Sequence, residues 1–240
     1  MMETETTLET EAAFEEVKKR RFRPVIGYSG SGVALTCLSV VSAVIGMHFA
    51  LGGSLGPALI CLMFCGFCDM LDGPVARRKK KRTGKEKNYG IELDSLADIV
   101  SFGVFPIVIG YSIGTYELAL GLISSEVVVH VGIAALYATA ALIRLAYFNV
   151  MEMELQSKKK KRKYYEGLPV TSVSILIPLV LSISLIISAP VSLVYSIMLL
   201  VFAIAFVARI KIPKIRGRYL MLYILLALPI ALYIIWNIGG

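Results

Sequence analysis

The chain has 240 residues, 57% of them hydrophobic, with a mean hydropathy of +0.74 and a net charge of +8. Several apolar stretches reach the roughly 20 residues that cross a hydrocarbon core about 30 Å thick. That excludes a soluble protein, and with it the reading of the basic balance as a nucleic-acid surface. The predicted fold is an all-α integral membrane protein, a polytopic bundle of six core transmembrane helices plus a seventh, preceded by an N-terminal interfacial helix. The spans are helical because neither an open sheet edge nor a loop can face lipid.

In chain order, residues 1–27 pass from acidic to basic and carry Leu8, Phe14, Val17 and Phe22. They lack a small-residue cleavage site before the first apolar run, so the expectation is a retained cytoplasmic or interfacial segment lying on the inner leaflet. Hydropathy then gives spans over Val33 to Leu51, Leu55 to Val75, Ile91 to Ile113, Val127 to Val150, Leu168 to Ile187, Val191 to Ala208 and Leu220 to Trp236. The first six fall in a membrane domain over residues 28–218. The seventh forms an additional C-terminal helix over 219–240.

All 25 Lys and Arg lie in five places: Lys18 to Arg23, Arg77 to Lys87, Arg144, Lys158 to Lys163, and Arg209 to Arg218. Alternate threading puts all five on one side, which the positive-inside rule makes cytoplasmic. The expectation is a multi-pass protein of the cell membrane whose lysine-rich runs are topological anchors and contacts to anionic lipid. Cys61, Cys65 and Cys68 imitate an iron–sulfur spacing. Offsets of four and three put them on one helical face, however, where a thiol is a small buried hydrophobe.

The chemistry gathers at the ends of two apolar runs. Asp69 and Asp72 are three apart at the end of the second span, and Asp94 and Asp98 are four apart at the start of the third. Each spacing brings its pair to one helical face. Four carboxylates in one low-dielectric pocket cannot all ionise unaided, whereas two divalent cations neutralise them, and hard oxygen ligands suit Mg2+ or Mn2+. Gly73 and Ala76 remove bulk beside the first pair, and Arg77 adds a fork suited to phosphate. Carboxylates with metals, small residues and one arginine fit a nucleotide diphosphate.

Asp69, Asp72, Gly73, Ala76, Arg77, Gly90, Asp94 and Asp98 form D-x-x-D-G-x-x-A-R followed by G-x-x-x-D-x-x-x-D. This pattern resembles the signature of the CDP-alcohol phosphotransferases. The twelve residues between Arg77 and Gly90 exceed the family's usual gap, and the excess is basic, so it is read as a surface extension. Within the family, the run from Leu93 to Pro106 looks like the phosphatidylserine synthase branch. Arg144 to Asn149 is similar to that branch's R-L-A-R-F-N and Gly167 to Thr171 to its G-L-P-I-P, with Tyr147 and Thr171 as departures.

The resemblance implies transfer of the phosphatidyl group of CDP-diacylglycerol to the hydroxyl of L-serine, with release of CMP. It implies Asp69, Asp72, Asp94 and Asp98 as ligands of two divalent cations, Asp98 also as the base, and Gly73, Ala76, Arg77 and Gly90 around the nucleotide and pyrophosphate. Arg144 and Ser95 are candidates for contact with the acceptor or a lipid phosphate. A homodimer is expected on the same ground. The alternatives are a sibling enzyme using glycerol phosphate or an inositol phosphate and, from another class, a cation transporter. A transporter would want its carboxylates near the bilayer midplane on broken helices.

Overall fold

The computed structural model describes residues 27, 28, 30–78, 83–118, 125–157, 164–209, 211–213, 225 and 227–233. The N-terminal interfacial segment before Gly27 and the basic run Lys158 to Lys163 lie outside them. So does most of the span predicted from Leu220.

Helices α1 (Ser31–Leu51), α2 (Leu55–Arg78), α3 (Gly84–Asp98), α4 (Phe105–Leu118), α5 (Ser125–Ser157), α6 (Val173–Ile186) and α7 (Val191–Val207) account for the first six predicted spans. A further helical stretch covers 227–233. Four of the continuous helical runs are long and apolar enough to cross a membrane, and two are shorter apolar helices, as a polytopic membrane bundle requires.

The bundle is turned inside out relative to a soluble one. On α1 the buried positions are Gly32, Thr36, Ser39, Ser42, Ala43, Gly46 and Ala50. Leu38, Val41, Val44, Ile45 and Phe49 face outward. Lipid solvates those apolar side chains as well as a protein core would, so association rests on close backbone approach and van der Waals packing between small residues. A Cβ on Gly46 would run into the Phe105 ring and lie 2.7 Å from the Cβ of Cys61. Glycine there sets how closely α1, α2 and α4 pack. Cys65 and Cys68 are buried among these helices, and the Cys65 thiol donates to the Ser39 carbonyl at 3.2 Å.

The third span begins earlier than the sequence reading has it. Thr83 caps α3 by accepting the Glu86 N–H at 3.2 Å. A threonine followed three residues later by glutamate is a helix-start signal strong enough to carry the helix into the basic segment. The second aspartate pair therefore lies in the last turns of α3 rather than at a helix start, and the basic extension between Arg77 and Gly90 is partly helical.

The same span is also interrupted. Residues Ile99–Val104 form a π-helical segment in which the Phe105 N–H reaches back to the Val100 carbonyl. Pro106 explains part of it: it has no N–H to give the Phe102 carbonyl four residues earlier. The buried Tyr137 hydroxyl of α5 donates to that carbonyl instead, and the Tyr195 hydroxyl of α7 donates to the Pro106 carbonyl at 2.6 Å. Two tyrosines thus tie the widened turn to α5 and α7. π-turns of this kind occur often at functional sites, and this one follows Asp98 directly.

A short two-stranded ribbon accompanies the helices. β1 (Tyr164–Glu166) pairs antiparallel with β2 (Lys211–Pro213), Tyr165 opposite Ile212. After β1, Gly167 takes φ +77°, and a Cβ there would sit 2.8 Å from the Phe206 carbonyl. The Leu168 N–H bonds to the Ala205 carbonyl at 3.1 Å. The ribbon and this clasp anchor the start of α6 to the end of α7. The 227–233 stretch packs Ala227, Ile230 and Ala231 against the same core as the other helices.

Candidate active site

α1 packs against both α2 and α3, whereas α2 and α3 are not themselves a closely packed pair among the described residues. The two aspartate pairs face each other across that gap. Asp69, Asp94 and Asp98 each bring a carboxylate oxygen within 4.8 Å of the other two. Asp69 faces Asp98, and Asp72 faces Asp94. Asp72 and Asp98 are buried, at 8% and 9% exposure, while Asp69 and Asp94 are half-buried. Four carboxyl groups from two helices therefore meet in one place, as the three- and four-residue spacings predict.

This donor set is chemically suited to hard divalent cations. Three oxygens at such separations can share an ion, and neither Lys nor Arg is buried beside Asp72 and Asp98, the one buried cation among the described residues being Arg144. Burying this much negative charge without a counterion would be costly.

Two small residues of the motif serve packing as well as access. A Cβ on Gly32 of α1 would lie 2.7 Å from the Ala76 Cβ and 3.2 Å from the Asp72 carbonyl. Ala76 is thus small because α1 crosses α2 there. Gly73 leaves room for Arg77, whose Nη1 would be 3.1 Å from a Cβ at that position. The arginine folds back over the glycine, and its side chain is exposed. Gly90 lies on α3 next to Tyr89, whose ring meets Tyr28 edge-on at 5.5 Å. The chain entering α1 is thereby held against α3.

Two residues that the sequence reading did not select support the site. The Thr36 hydroxyl of α1 lies 3.0 Å from Asp72 Oδ2 and 3.1 Å from the Gly32 carbonyl. It fixes the Asp72 carboxylate from the neighbouring helix. The signal available in sequence is the run of small and hydroxyl residues Gly32, Thr36 and Ser39 at helical spacing. Asn149 of α5 accepts a hydrogen bond from Ser95 at 2.6 Å. Ser95 stands one turn before Asp98, so this bond ties the aspartate-bearing end of α3 to α5.

Arg144 is placed differently. It is buried at 6% exposure, its Nε–H donates to the Leu168 carbonyl at 3.1 Å, and its guanidinium lies 5.3 Å from the Phe148 ring centroid. It lines a cavity of about 180 Å3 with Ile143, Tyr147, Phe206, Val207, Ala208 and Arg209, a lining that includes none of the four aspartates. The structure thus unites Asp69, Asp72, Asp94 and Asp98, sets Gly73, Ala76 and Arg77 beside them, and places Arg144 on α5 against Leu168 and Phe148.

A helical membrane bundle with four convergent aspartates near the ends of two helices defines a class, and the sequence comparisons name it. The chain matches the CDP-alcohol phosphatidyltransferase family over residues 33–234 and belongs to that family. Among its relatives, the CDP-diacylglycerol–serine O-phosphatidyltransferase of Saccharomyces cerevisiae is 41% identical over 107 residues, 43% of this chain and 34% of the relative. The protein of that name from Methanocaldococcus jannaschii is 31% identical over 164 residues, 68% of this chain and 67% of the relative. The archaetidylserine synthase of Methanothermobacter thermautotrophicus is 31% identical over 119 residues, 49% of this chain and 46% of the relative. The chain spans about a third to two fifths of the length of the yeast and mycobacterial relatives it matches.

Proposed function

We propose that this protein is a CDP-diacylglycerol–serine O-phosphatidyltransferase, acting at the cytoplasmic face of the cell membrane. The observation that carries the reading is the convergence of Asp69, Asp94 and Asp98 within 4.8 Å beside the buried Asp72, in the family's motif. The names of the yeast and M. jannaschii relatives, and the likeness of Arg144 to Asn149 and Gly167 to Thr171 to the serine branch, support serine as acceptor. Arg144 is the one buried cation among the described residues, which favours an unphosphorylated acceptor over glycerol phosphate or an inositol phosphate.

Asp69, Asp72, Asp94 and Asp98 would hold the divalent cations, Mg2+ or Mn2+, which when bound supply charge neutralisation for the pyrophosphate and the leaving CMP. The chain's own groups do the rest. Gly73, Ala76 and Gly90 line the nucleotide, and the exposed Arg77 reaches the phosphate with its N–H fork. The lipid tails stay in the bilayer while the cytidine diphosphate enters between α2 and α3.

Asp98 takes the proton from the serine hydroxyl as its oxygen bonds to the phosphatidyl phosphorus. The bond from that phosphorus to the CMP oxygen breaks, and CMP leaves with the electron pair. The π-turn after Asp98, pinned by Tyr137 and Tyr195, and the bond from Ser95 to Asn149 fix the carboxyl's position. A homodimer in the membrane goes with this reading through the family resemblance.

The test is CMP release from CDP-diacylglycerol and L-serine by the purified chain. It should stop with a chelator, return with Mn2+ or Mg2+, and be lost in Asp94→Asn. In Asp98→Asn turnover should vanish while donor binding stays measurable; retained turnover would remove Asp98 from the base role. Release indifferent to chelation and to Asp94→Asn would overturn the proposal.

A further inference from the structure

A second cavity lies towards the other end of the bundle, away from the aspartates and the basic segments. It opens between α4, α5 and α7, has a volume of about 60 Å3, and is lined in part by Gly110, Gly114, His130, Ser192, Tyr195 and Leu199. Gly110 follows Asp98 by twelve residues, about 18 Å of helix. Among the described residues no carboxylate, lysine or arginine lines the cavity. α5 and α7 pack closely, whereas α4 meets α5 only loosely. A Cβ on Gly114 would have no neighbour within 4 Å, so packing within the chain does not demand a glycine there. The walls are polar at one end and apolar at the other. His130 and Ser192, with Nε2 and Oγ 3.3 Å apart, stand near the starts of α5 and α7, which is the membrane surface on that side. Ile107 and Leu199 line the deeper end. On the outside Tyr111, Val128 and Val131 are exposed, which in a membrane bundle means contact with acyl chains.

From this arrangement we infer that the cavity binds an uncharged lipid with a free hydroxyl, a diacylglycerol, in the leaflet opposite the aspartates. The lipid hydroxyl reaches His130 and Ser192, a pair that can both donate to it and accept from it. One chain descends past Gly114 and Gly110 towards Leu199, and the other follows the exposed Val128 and Val131. Head at the surface and chain inward is the orientation that a lipid of that leaflet takes. A charged head group finds no counterion in the lining, which favours a neutral lipid over a phospholipid. The bound chain borders Tyr195, whose ring would lie 2.9 Å from a Cβ on Gly110 and whose hydroxyl holds the Pro106 carbonyl. The lipid site thus shares a wall with the clamp on the turn after Asp98. The inference does not depend on the transferase reading.

The test is photolabelling of the full chain in phosphatidylcholine nanodiscs with a dioctanoylglycerol that carries a diazirine on one chain. Label should fall around Gly114, His130 and Ser192 and be displaced by unlabelled dioctanoylglycerol. The acetyl ester of dioctanoylglycerol, which lacks the hydroxyl, should displace it about fivefold less well, the worth of one neutral hydrogen bond. His130→Phe keeps a ring without its nitrogens and should narrow that difference. Gly114→Leu fills the cavity and should lower labelling there roughly tenfold or more. Gly132→Leu, equally open around its Cβ but outside the lining, should leave labelling unchanged. Equal displacement by the acetyl ester, or a difference that His130→Phe leaves intact, would overturn the hydroxyl recognition and with it the site. Equal labelling in Gly114→Leu and Gly132→Leu would show adsorption to the helix surface and overturn it as well. Label on α2 and α3 instead, lost in Asp94→Asn, would place the diacylglycerol at the aspartates, and the assignment would fall.

Discussion

The tightest constraint on the active site is a helix crossing, and it can be tested by adding one methyl group. Gly32→Ala places a Cβ 2.7 Å from the Ala76 Cβ, 3.2 Å from the Asp72 carbonyl and 3.3 Å from the Ala76 Cα. Ordinary carbon–carbon contact is about 3.5–4.0 Å, so α1 and α2 must part by about 1 Å. The partners are backbone and a Cβ, none of which can swing away. Overpacking of this kind costs about 1–3 kcal/mol, which the bundle should survive. The same shift moves Thr36 relative to Asp72, and a displacement of about 1 Å in a catalytic constellation can cost roughly 100-fold in rate. Gly32→Ala should therefore fold, with a modestly lowered Tm, and lose most of its CMP release. Adding Ala76→Gly removes the worst contact and should return a substantial part of the activity. An active single variant would refute the reasoning, as would a double variant no better than the single.

Three further outcomes follow from the same geometry. Thr36→Val removes the hydroxyl 3.0 Å from Asp72 Oδ2 and should lower CMP release roughly fivefold, equivalent to about 1 kcal/mol, with little change in Tm; an unchanged rate would show that Asp72 needs no help from α1. Tyr137→Phe strips the donor from the Phe102 carbonyl, which Pro106 cannot serve, and should destabilise the protein by about 1–3 kcal/mol in thermal unfolding; an unshifted transition would mean that the π-turn holds itself. Gly46→Ala sets a methyl against the Phe105 ring and Cys61, and should lower Tm more than Gly32→Ala does, because the Phe105 ring is fully buried and meets the new methyl more closely than Ala76 does at Gly32.

Much of this was legible in the sequence because the physics is local. Six spans follow from hydropathy, and the meeting of four aspartates follows from helical offsets of three and four. What was not legible depends on partners distant in sequence. Nothing in Pro106 alone says that Tyr137 and Tyr195, from two other helices, will hold the turn before it, so the π-segment goes unseen. The Thr83 and Glu86 pair is visible, yet the basic charge around it favours a loop until the capping bond is in view. Ala76 reads as room for a ligand until Gly32, forty-four residues earlier, is seen pressed against it. Arg144 reads as a candidate contact to the acceptor or a lipid phosphate from its motif, and only the fold shows that its Nε–H is given to the Leu168 carbonyl.

The central claim is that these aspartates transfer a phosphatidyl group to serine. The most direct measurement supplies the purified protein with CDP-diacylglycerol, Mn2+ or Mg2+, and one labelled acceptor at a time: L-serine, glycerol 3-phosphate or inositol phosphate. The account predicts label in an organic-soluble phospholipid with L-serine alone, matched one for one by CMP and absent in Asp94→Asn. Label from a phosphorylated acceptor, or none from serine while CMP is released, would contradict it.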